Sequence, residues 1–527
     1  MKRNLFIPVG AAIATCLLLA FAFTTGGNEP TLDRKLAAAL HEAGFTGKVG
    51  SSIEARIGRP VNQKLANLGR LLWFDKIHSL HQDNTCGGCH SPTNGFGDSQ
   101  PMAIGVQNNN LVGPHRIGPR NQRRTPLAVN TVFYPALMWN GRFNSISGNP
   151  FDNSKGFMFP LPEGTTRFPP NDPTIKILAQ AQGELPPTEL TEVAGYTGTR
   201  GTISPEFDQF DDGRGLPVPL PDASGSRNDP IRQEVLKVLN NTPAYRELFG
   251  EVFPSVRDGG PIDFGMFGRA IAEFEFTLVF ANAPIDKFAR GDRDAMTRSE
   301  KRGALLFFGK AKCVQCHAVA GQSNEMFTDF KERVIGVPQI APFFGVNKGN
   351  TIFDGSGTNE DFGLEQITGD SADRYKFRTA PLRNLAVAPG FFHNGAFVRL
   401  EDAIRHHLDV NRSARHYSPV AAGVPRDLSF RLGPIEPVLA RLDPILKTPI
   451  DLDGEEFADL VHFVRDGLHD PRVSARNLCK LVPERLPSGM QPLEFEACAD
   501  RDDDHDRDHD RDHDRDDDDR GRGHGHD

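Results

Sequence analysis

Two short motifs in this chain of 527 residues place two cysteines and a histidine at the same spacing. Residues 86–90 read Cys-Gly-Gly-Cys-His, and residues 313–317 read Cys-Val-Gln-Cys-His. Thiols at this spacing can form thioethers with the vinyl groups of a haem, and the adjacent imidazole can bind the haem iron. The motifs therefore predict two haem c groups, bound by Cys86, Cys89, His90, Cys313, Cys316 and His317.

Two other uses of paired cysteines fit these motifs less well. Zinc ribbons place their cysteine pairs roughly 15 to 20 residues apart, whereas Cys86 and Cys313 are 227 positions apart. A thioredoxin-like dithiol belongs to a βαβ unit, and no alternating strand pattern is sustained in this sequence. Because a histidine also follows each pair, haem attachment is the interpretation that both motifs favour.

The same landmarks recur in the same order around both motifs, which indicates a duplicated unit. The first set contains GRLLWFDK from residue 69, TPL from residue 125 and WNGRF from residue 139. The second contains GALLFFGK from residue 303, APL from residue 380 and HNGAF from residue 393. Each haem motif follows a short apolar helix, and Thr297 with Glu300 forms a capping box before the second one. Helical spacing elsewhere predicts a mainly α fold with long loops.

The N-terminal residues indicate an exported protein. Lys2 and Arg3 precede an apolar run that reaches residue 23, which is typical of a secretion signal or, if uncleaved, of a membrane anchor. In the oxidising periplasm we expect a disulfide between Cys479 and Cys498.

Residues 500–527 contain fourteen Asp and six Arg and carry most of the net charge of −9. The nearly neutral remainder lacks the basic stripe of a nucleic-acid-binding protein.

Two further segments have a strong compositional bias. Residues 160–230 contain twelve prolines and several glycine turns, which predict an extended excursion on the surface between the two halves. The Asp-His-Asp-Arg repeats of residues 500–527 cannot form a core, so we expect a disordered tail. Its histidines offer ligands for Zn²⁺, Ni²⁺ or Cu²⁺.

The landmarks resemble the bacterial dihaem cytochrome c peroxidase family, which includes the relative that matures the methylamine dehydrogenase cofactor. The resemblance covers roughly residues 60–475 outside the proline-rich excursion and rests on LGRLLWFD, TPLAVNTVFYPALMWNGR, RGALLFFGKAKCVQCH and APLRNLAVAPGFFHNGAFVRLEDAIRHH. It implies two cytochrome c-like domains, the first peroxidatic and the second for electron transfer. The expected divisions are a signal segment at 1–27, a first domain at 31–290, a second domain at 291–476, a disulfide-closed extension at 477–499 and a disordered tail at 500–527.

The resemblance also implies roles for two residues between the haems and above the first iron. Trp139 matches the tryptophan that relays electrons between the haems, and an ordinary core aromatic is the alternative. Glu163 lies about where the family keeps an acid–base glutamate, although extra residues intervene after Trp139. Such a group is needed because cleavage of peroxide requires a proton to move from the inner to the outer oxygen. A surface carboxylate is the alternative for Glu163.

The second haem departs from the family's usual axial ligand. The peroxidases usually have Met fourteen residues after the histidine of the FFHNG-type motif, and this chain has His407 there. On a helix, the adjacent His406 points about 100° away, so only one of the two can face the iron. We expect His407 to be the ligand and retain His406 as the alternative. A histidine in place of methionine lowers the expected haem potential.

Two more features of the family bear on the first haem and on metal binding. His115 falls near the loop residue that blocks the first iron at rest in the family, and a plain loop histidine is equally compatible with its position. The family often holds Ca²⁺ through an Asn just before the TP motif, where this chain has Arg124. Since a cation is a poor neighbour for a Ca²⁺ site, calcium is doubtful.

The resemblance implies a periplasmic peroxidase that reduces hydrogen peroxide with electrons from a small cytochrome or copper protein. One alternative is a dihaem oxidase that uses high-valent iron to modify a partner protein. A dihaem electron carrier with both irons blocked by histidine is another. A homodimer is compatible with the resemblance, and contact with a membrane is expected only if the signal segment is retained.

The haem motifs generate the first testable prediction. Mass spectrometry of the mature chain should show the added mass of two haems, because each motif supplies both thioether positions. Replacing Cys313 or Cys316 by Ala should leave the second haem held by one thioether or lost. A mature chain with no added haem mass and with zinc bound would contradict the haem interpretation.

Overall fold

The fold is described from a computed structural model that covers residues 31–203, 205–341 and 360–499. The predicted signal segment and the acidic tail lie outside these residues. The prediction of a mainly α fold is confirmed. The first eleven helices of the described chain are α1 (Leu32–Glu42), α2 (Ile53–Ile57), α3 (Gln63–Phe74), α4 (Cys86–Cys89), α5 (Gly164–Arg167), α6 (Leu178–Gln182), α7 (Asn228–Asn240), α8 (Pro243–Val252), α9 (Pro254–Arg257), α10 (Phe264–Thr277) and α11 (Pro284–Ala289).

The remaining helices are α12 (Arg298–Phe308), α13 (Glu365–Thr368), α14 (Leu400–Leu408), α15 (Val410–Arg415), α16 (Glu436–Leu439), α17 (Gly454–His462), α18 (Ala475–Leu478) and α19 (Glu496–Ala499). The short strands are β1 (Leu111–Val112), β2 (Ala136–Leu137), β3 (Phe143–Ser145), β4 (Phe157–Met158), β5 (Glu332–Arg333), β6 (Ile340–Ala341), β7 (Phe377–Arg378), β8 (Arg431–Leu432) and β9 (Glu494–Phe495). Strands β2, β3 and β4 form an antiparallel sheet, and the others pair two by two. Within the described ranges, no helix has the length and apolar character needed to cross a membrane.

A helix crossing of the same kind occurs in each half. Helix α3 packs on α10, and a Cβ atom at Gly69 would collide with the carbonyl oxygen of Ala270. Helix α12 packs on α17, and a Cβ atom at Gly303 would collide with the carbonyl oxygen of Asp459. Since glycine permits such close approach of backbones, these glycines of the repeated GRLLWF and GALLFF segments set the two crossings. The capping box of Thr297 and Glu300 begins α12.

The predicted division at residues 290 and 291 is wrong for both ends of the described chain. Leu36 and Leu40 of α1 are buried in the core of the second half, beside Phe307. Leu493 and Phe495 of the C-terminal extension are buried in the core of the first half. The apolar side chains of each end pack on the half that is distant in sequence, because burial of apolar area does not depend on chain order.

The expectation that residues 160–230 form a surface excursion is also wrong for much of that segment. Ile177, Leu178 and Tyr196 are buried, and α6 packs on α10. The prolines do not prevent burial, because a proline ring is itself apolar and needs no hydrogen-bond partner for a backbone N–H. This segment therefore forms part of the core of the first half.

The C-terminal extension is closed on itself by a disulfide and is attached to the first half by a strand pair and an aromatic contact. Cys479 and Cys498 form a disulfide, and β9 pairs in parallel with β1, which aligns Leu111 with Glu494. Phe495 stacks edge-on against Phe74 at the end of α3. The extension therefore covers the helix that leads into the first haem motif.

Loss of the disulfide should loosen this cover. We expect Cys498→Ser to lower the free energy of unfolding by about 3 kcal/mol, the value typical for closing a loop of this length. Urea unfolding of the variant and the parent protein measures the change, and limited proteolysis should show faster cleavage near β1. An unchanged midpoint and an unchanged cleavage pattern would show that apolar contacts alone hold the extension.

Candidate functional site

The first haem motif lies in the wall of a cavity in the first half. Cys86, Cys89 and His90 line this cavity, and the side chain of Thr85 caps the short helix α4 by accepting a hydrogen bond from the N–H of Gly88. The Nδ1 of His90 donates to the carbonyl oxygen of Phe96 at 2.8 Å. That tautomer leaves a lone pair on Nε2, the nitrogen that would bind a metal. Burial lowers the pKa of His90 to about 4, so the imidazole is neutral.

The second haem motif lies in the wall of a similar cavity in the second half. Cys313, Cys316 and His317 line it. The Nδ1 of His317 donates to the carbonyl oxygen of Phe327 at 2.9 Å, which again leaves the lone pair on Nε2. Burial, reinforced by the nearby His407, lowers the pKa of His317 to about 4. Both cavities thus offer the same set of two thiols and one neutral imidazole.

His407 faces His317 across the second cavity. Their ring centroids are 6.3 Å apart, and two imidazoles that each bind one metal at about 2 Å have ring centres about 6 Å apart. The Nδ1 of His407 donates to the carbonyl oxygen of Ala403 at 2.8 Å, so its lone pair also lies on Nε2. Helix α14 therefore places His407 opposite His317 at the separation that suits a shared metal.

His406 points away from the same cavity. Its Nδ1 lies 3.1 Å from the hydroxyl of Ser413, and its Nε2 lies 2.9 Å from the carbonyl oxygen of Ile335. The side chain is buried. Because both ring nitrogens have hydrogen-bond partners, His406 serves the packing of α14, and the geometry favours His407 as the ligand.

Trp139 lies in the wall between the two cavities and lines both. Its indole Nε1 donates to the carbonyl oxygen of Arg124 at 2.7 Å. Its own carbonyl oxygen accepts from the backbone N–H of Arg378 at 2.7 Å. The indole is therefore fixed in position by hydrogen bonds at its ring and at its backbone.

This arrangement agrees with the comparisons with known proteins. A model of the family described as di-haem cytochrome c peroxidase matches residues 63–294. The cytochrome c551 peroxidase of Pseudomonas aeruginosa is 24% identical, over 77% of this chain and 85% of that protein. The chain is similar to the proteins of this family. It is accordingly an oxidoreductase of the cytochrome c peroxidase type.

The chain is also similar to two further proteins and to one solved structure. The methylamine utilization protein MauG of Methylorubrum extorquens is 25% identical, over 77% of this chain and 87% of that protein. The cytochrome c peroxidase Ccp of Escherichia coli is 30% identical, over 66% of this chain and 55% of that protein. A crystal structure of a MauG-like protein associated with microbial copper homeostasis superposes with a TM-score of 0.51 at 20% identity, covering 80% of this chain and 93% of that one. The superposition shows a shared fold.

The two haems that the family implies fit the residues of both cavities. Each cavity supplies two thiols and a neutral imidazole, and burial raises the pKa of the thiols of Cys86 and Cys313, which keeps them protonated. Each imidazole is oriented by a backbone carbonyl, as metal-binding histidines usually are. The donor sets therefore suit haem and leave the thiols available for thioether bonds.

The structure places Glu163, the predicted acid–base residue, outside the lining of the first cavity. Its carboxylate accepts hydrogen bonds from Asn228 at 2.6 Å and from Arg232 at 2.7 Å. Glu163 is not among the residues that line the first cavity. It forms a buried ion pair that ties α5 to α7, because a buried carboxylate requires a cationic partner.

Three glutamates that sequence analysis missed line the first cavity instead: Glu189, Glu192 and Glu275. Burial, and then the charge of Glu189, raise the pKa of Glu192 to about 7. Burial raises the pKa of Glu275 to about 8. Glu192 lies in the π-helical turn Leu190–Ala194, and such turns are frequent at functional sites. In the sequence, the distance of a glutamate from Trp139 could have indicated such a residue. The long segment that follows Trp139 obscured that distance.

His115 does not lie in the first cavity, so its predicted role as a resting ligand finds no support in its position. Its side chain is 80% exposed. Its Nδ1 lies 2.7 Å from a carboxylate oxygen of Glu496, and the other oxygen of that carboxylate accepts from its backbone N–H at 3.0 Å. The contact joins residues that are 381 positions apart, so no local pattern could have predicted it.

The geometry of the second cavity generates a prediction about its axial ligand. We expect His407→Met to raise the potential of the second haem, since methionine ligation favours the reduced iron. His406→Met should leave that potential nearly unchanged and lower the stability by about 1–3 kcal/mol, because the carbonyl oxygen of Ile335 loses its donor. Redox titration and electron paramagnetic resonance distinguish the variants. If only His406→Met moved the potential, the assignment would be off by one residue.

Proposed function

We propose that this chain acts in the periplasm, carries two haems bound through its cysteine pairs, and reduces hydrogen peroxide with electrons from a small cytochrome or copper protein. The observation that carries the proposal is the position of Trp139 in the wall of both cavities. Each turnover takes two electrons and two protons and forms two waters from one peroxide. The chain must therefore deliver electrons and protons to one place.

The haem iron, when bound, supplies the electrons that cleave the peroxide bond. Trp139 offers the electrons a short route from the second cavity to the first, because its indole ring contacts both. Its hydrogen bond to Arg124 keeps the ring from turning away. His317 and His407 would both bind the iron of the second haem, which would suit that site to storing and passing an electron.

The carboxyl groups of Glu189 and Glu192 replace Glu163 as the proton carriers. Both line the first cavity, and Glu192, with its pKa of about 7, exchanges a proton readily near neutral pH. Glu189 lies 3.7 Å from Arg142, which also lines the cavity. The carboxyl group of Glu192 can thus exchange a proton in a wall that also carries Glu189 and Arg142.

Oxidation of a partner protein is the second candidate function. Relatives named methylamine utilization protein MauG are 24–25% identical to this chain. The replacement of the usual methionine by His407 favours this candidate, because a low potential makes the second haem a poorer acceptor for a small donor protein. Turnover of peroxide with a reduced small cytochrome separates the two functions, since only the first needs such a donor.

Three glutamate variants test the proton route. We expect Glu189→Gln and Glu192→Gln to slow peroxide turnover by roughly 10² each, because a glutamine cannot carry the proton. Glu163→Gln is the matched control and should keep full turnover, since its amide still accepts the hydrogen bonds of Asn228 and Arg232. Stopped-flow absorbance with equal haem content measures the rates. A slow Glu163→Gln beside two fast variants would return the role to Glu163.

A further inference from the structure

Arg124 lies at the place where the two halves meet. Its backbone N–H donates to the carbonyl oxygen of His393 at 2.7 Å, and its carbonyl oxygen accepts from the indole of Trp139 at 2.7 Å. His393 and Trp139 begin the HNGAF and WNGRF segments, so Arg124 is held by the corresponding residue of each half. Its side chain lines both cavities.

The guanidinium of Arg124 is buried without a close anion. Its side chain is 4% exposed, and its Nε has no hydrogen-bond partner among the described residues. The nearest carboxylate is that of Asp98, with 3.8 Å between Nε and Oδ2. That oxygen already accepts a hydrogen bond from the backbone N–H of Thr125 at 2.7 Å.

Three other arginines of the cavity walls have carboxylate partners at 2.6–2.7 Å. These pairs are Arg123 with Asp361, Arg333 with Asp329, and Arg383 with Asp286. Arg378, which is also buried, donates from its Nε to the carbonyl oxygen of Met138 at 3.0 Å, whereas the Nε of Arg124 has no such partner among the described residues. Arg124 therefore differs from these arginines in having a buried guanidinium with neither a hydrogen-bonded anion nor a partner for its Nε. A guanidinium keeps its charge when buried, and a buried charge requires a partner.

We infer that Arg124 is a fixed cation that binds the propionate carboxylates of the haems from the wall shared by both cavities, in the place of a bridging divalent metal ion. The inference rests on the proposed binding of two haems. Haem carries its carboxylates at one edge, and planar guanidinium pairs well with carboxylate. Arg124 stands just before the TP motif, so its charged side chain takes the place of the asparagine that would bind Ca²⁺ there.

Redox titration of Arg124 variants tests the charge. Loss of a nearby cation disfavours the reduced haem, so Arg124→Gln should lower the reduction equilibrium constant of at least one haem tenfold or more, which is 59 mV for one electron. Arg124→Lys keeps the charge and should recover most of the shift. Haem content by mass spectrometry accompanies both variants. Absence of haem from the parent protein would defeat the proposed function, whereas two haems with unmoved potentials in Arg124→Gln would overturn only the inference.

A second experiment uses the unaltered protein, so its result does not depend on whether a variant folds. Both potentials and the optical spectrum of the full chain should be the same in the presence of Ca²⁺ and of the chelator EGTA, because Arg124 already supplies the bridging charge. Potentials or spectra that change on removal of Ca²⁺ would overturn the inference and would show that a metal ion performs this role.

Discussion

Three hydrogen bonds across the middle of the molecule hold the wall that both cavities share. They join the N–H of Arg124 to His393, the indole of Trp139 to Arg124, and the N–H of Arg378 to Trp139, each at 2.7 Å. Since Trp139 and Arg124 are buried, leaving one of these groups without a partner would cost about 1–3 kcal/mol. The position of one cavity relative to the other is therefore set largely by backbone groups.

The two halves repeat the same scaffold but differ at one decisive position. Gly69 and Gly303 allow equivalent helix crossings, and Trp139 and His393 begin equivalent segments. Trp139 lines both cavities, whereas His393 lines the second alone and stacks on Phe377 with 3.6 Å between ring centroids. The two halves are therefore not equivalent, because the indole ring of Trp139 lines the cavity of the other half as well as its own, and the imidazole of His393 does not.

The sequence predicts those parts of the site that depend on local spacing. The cysteine pairs, their histidines and His407 follow from fixed intervals within a motif or a helix, and the structure places them together. The surroundings of Glu163 and His115 could not be predicted in this way, because they depend on distant residues, Arg232 and Glu496. The burial of residues 160–230 was missed because proline content reports on backbone hydrogen bonding, whereas burial depends on what a segment packs against.

Each end of the described chain packs on the half that is distant in sequence, and this has a consequence for folding during synthesis. Helix α1 is synthesised early and completes the second core, while Leu493 and Phe495 are synthesised late and complete the first. Domains that are contiguous in sequence can fold in order of synthesis, but neither half of this chain is contiguous. The first core can therefore be completed only after the end of the chain has been synthesised.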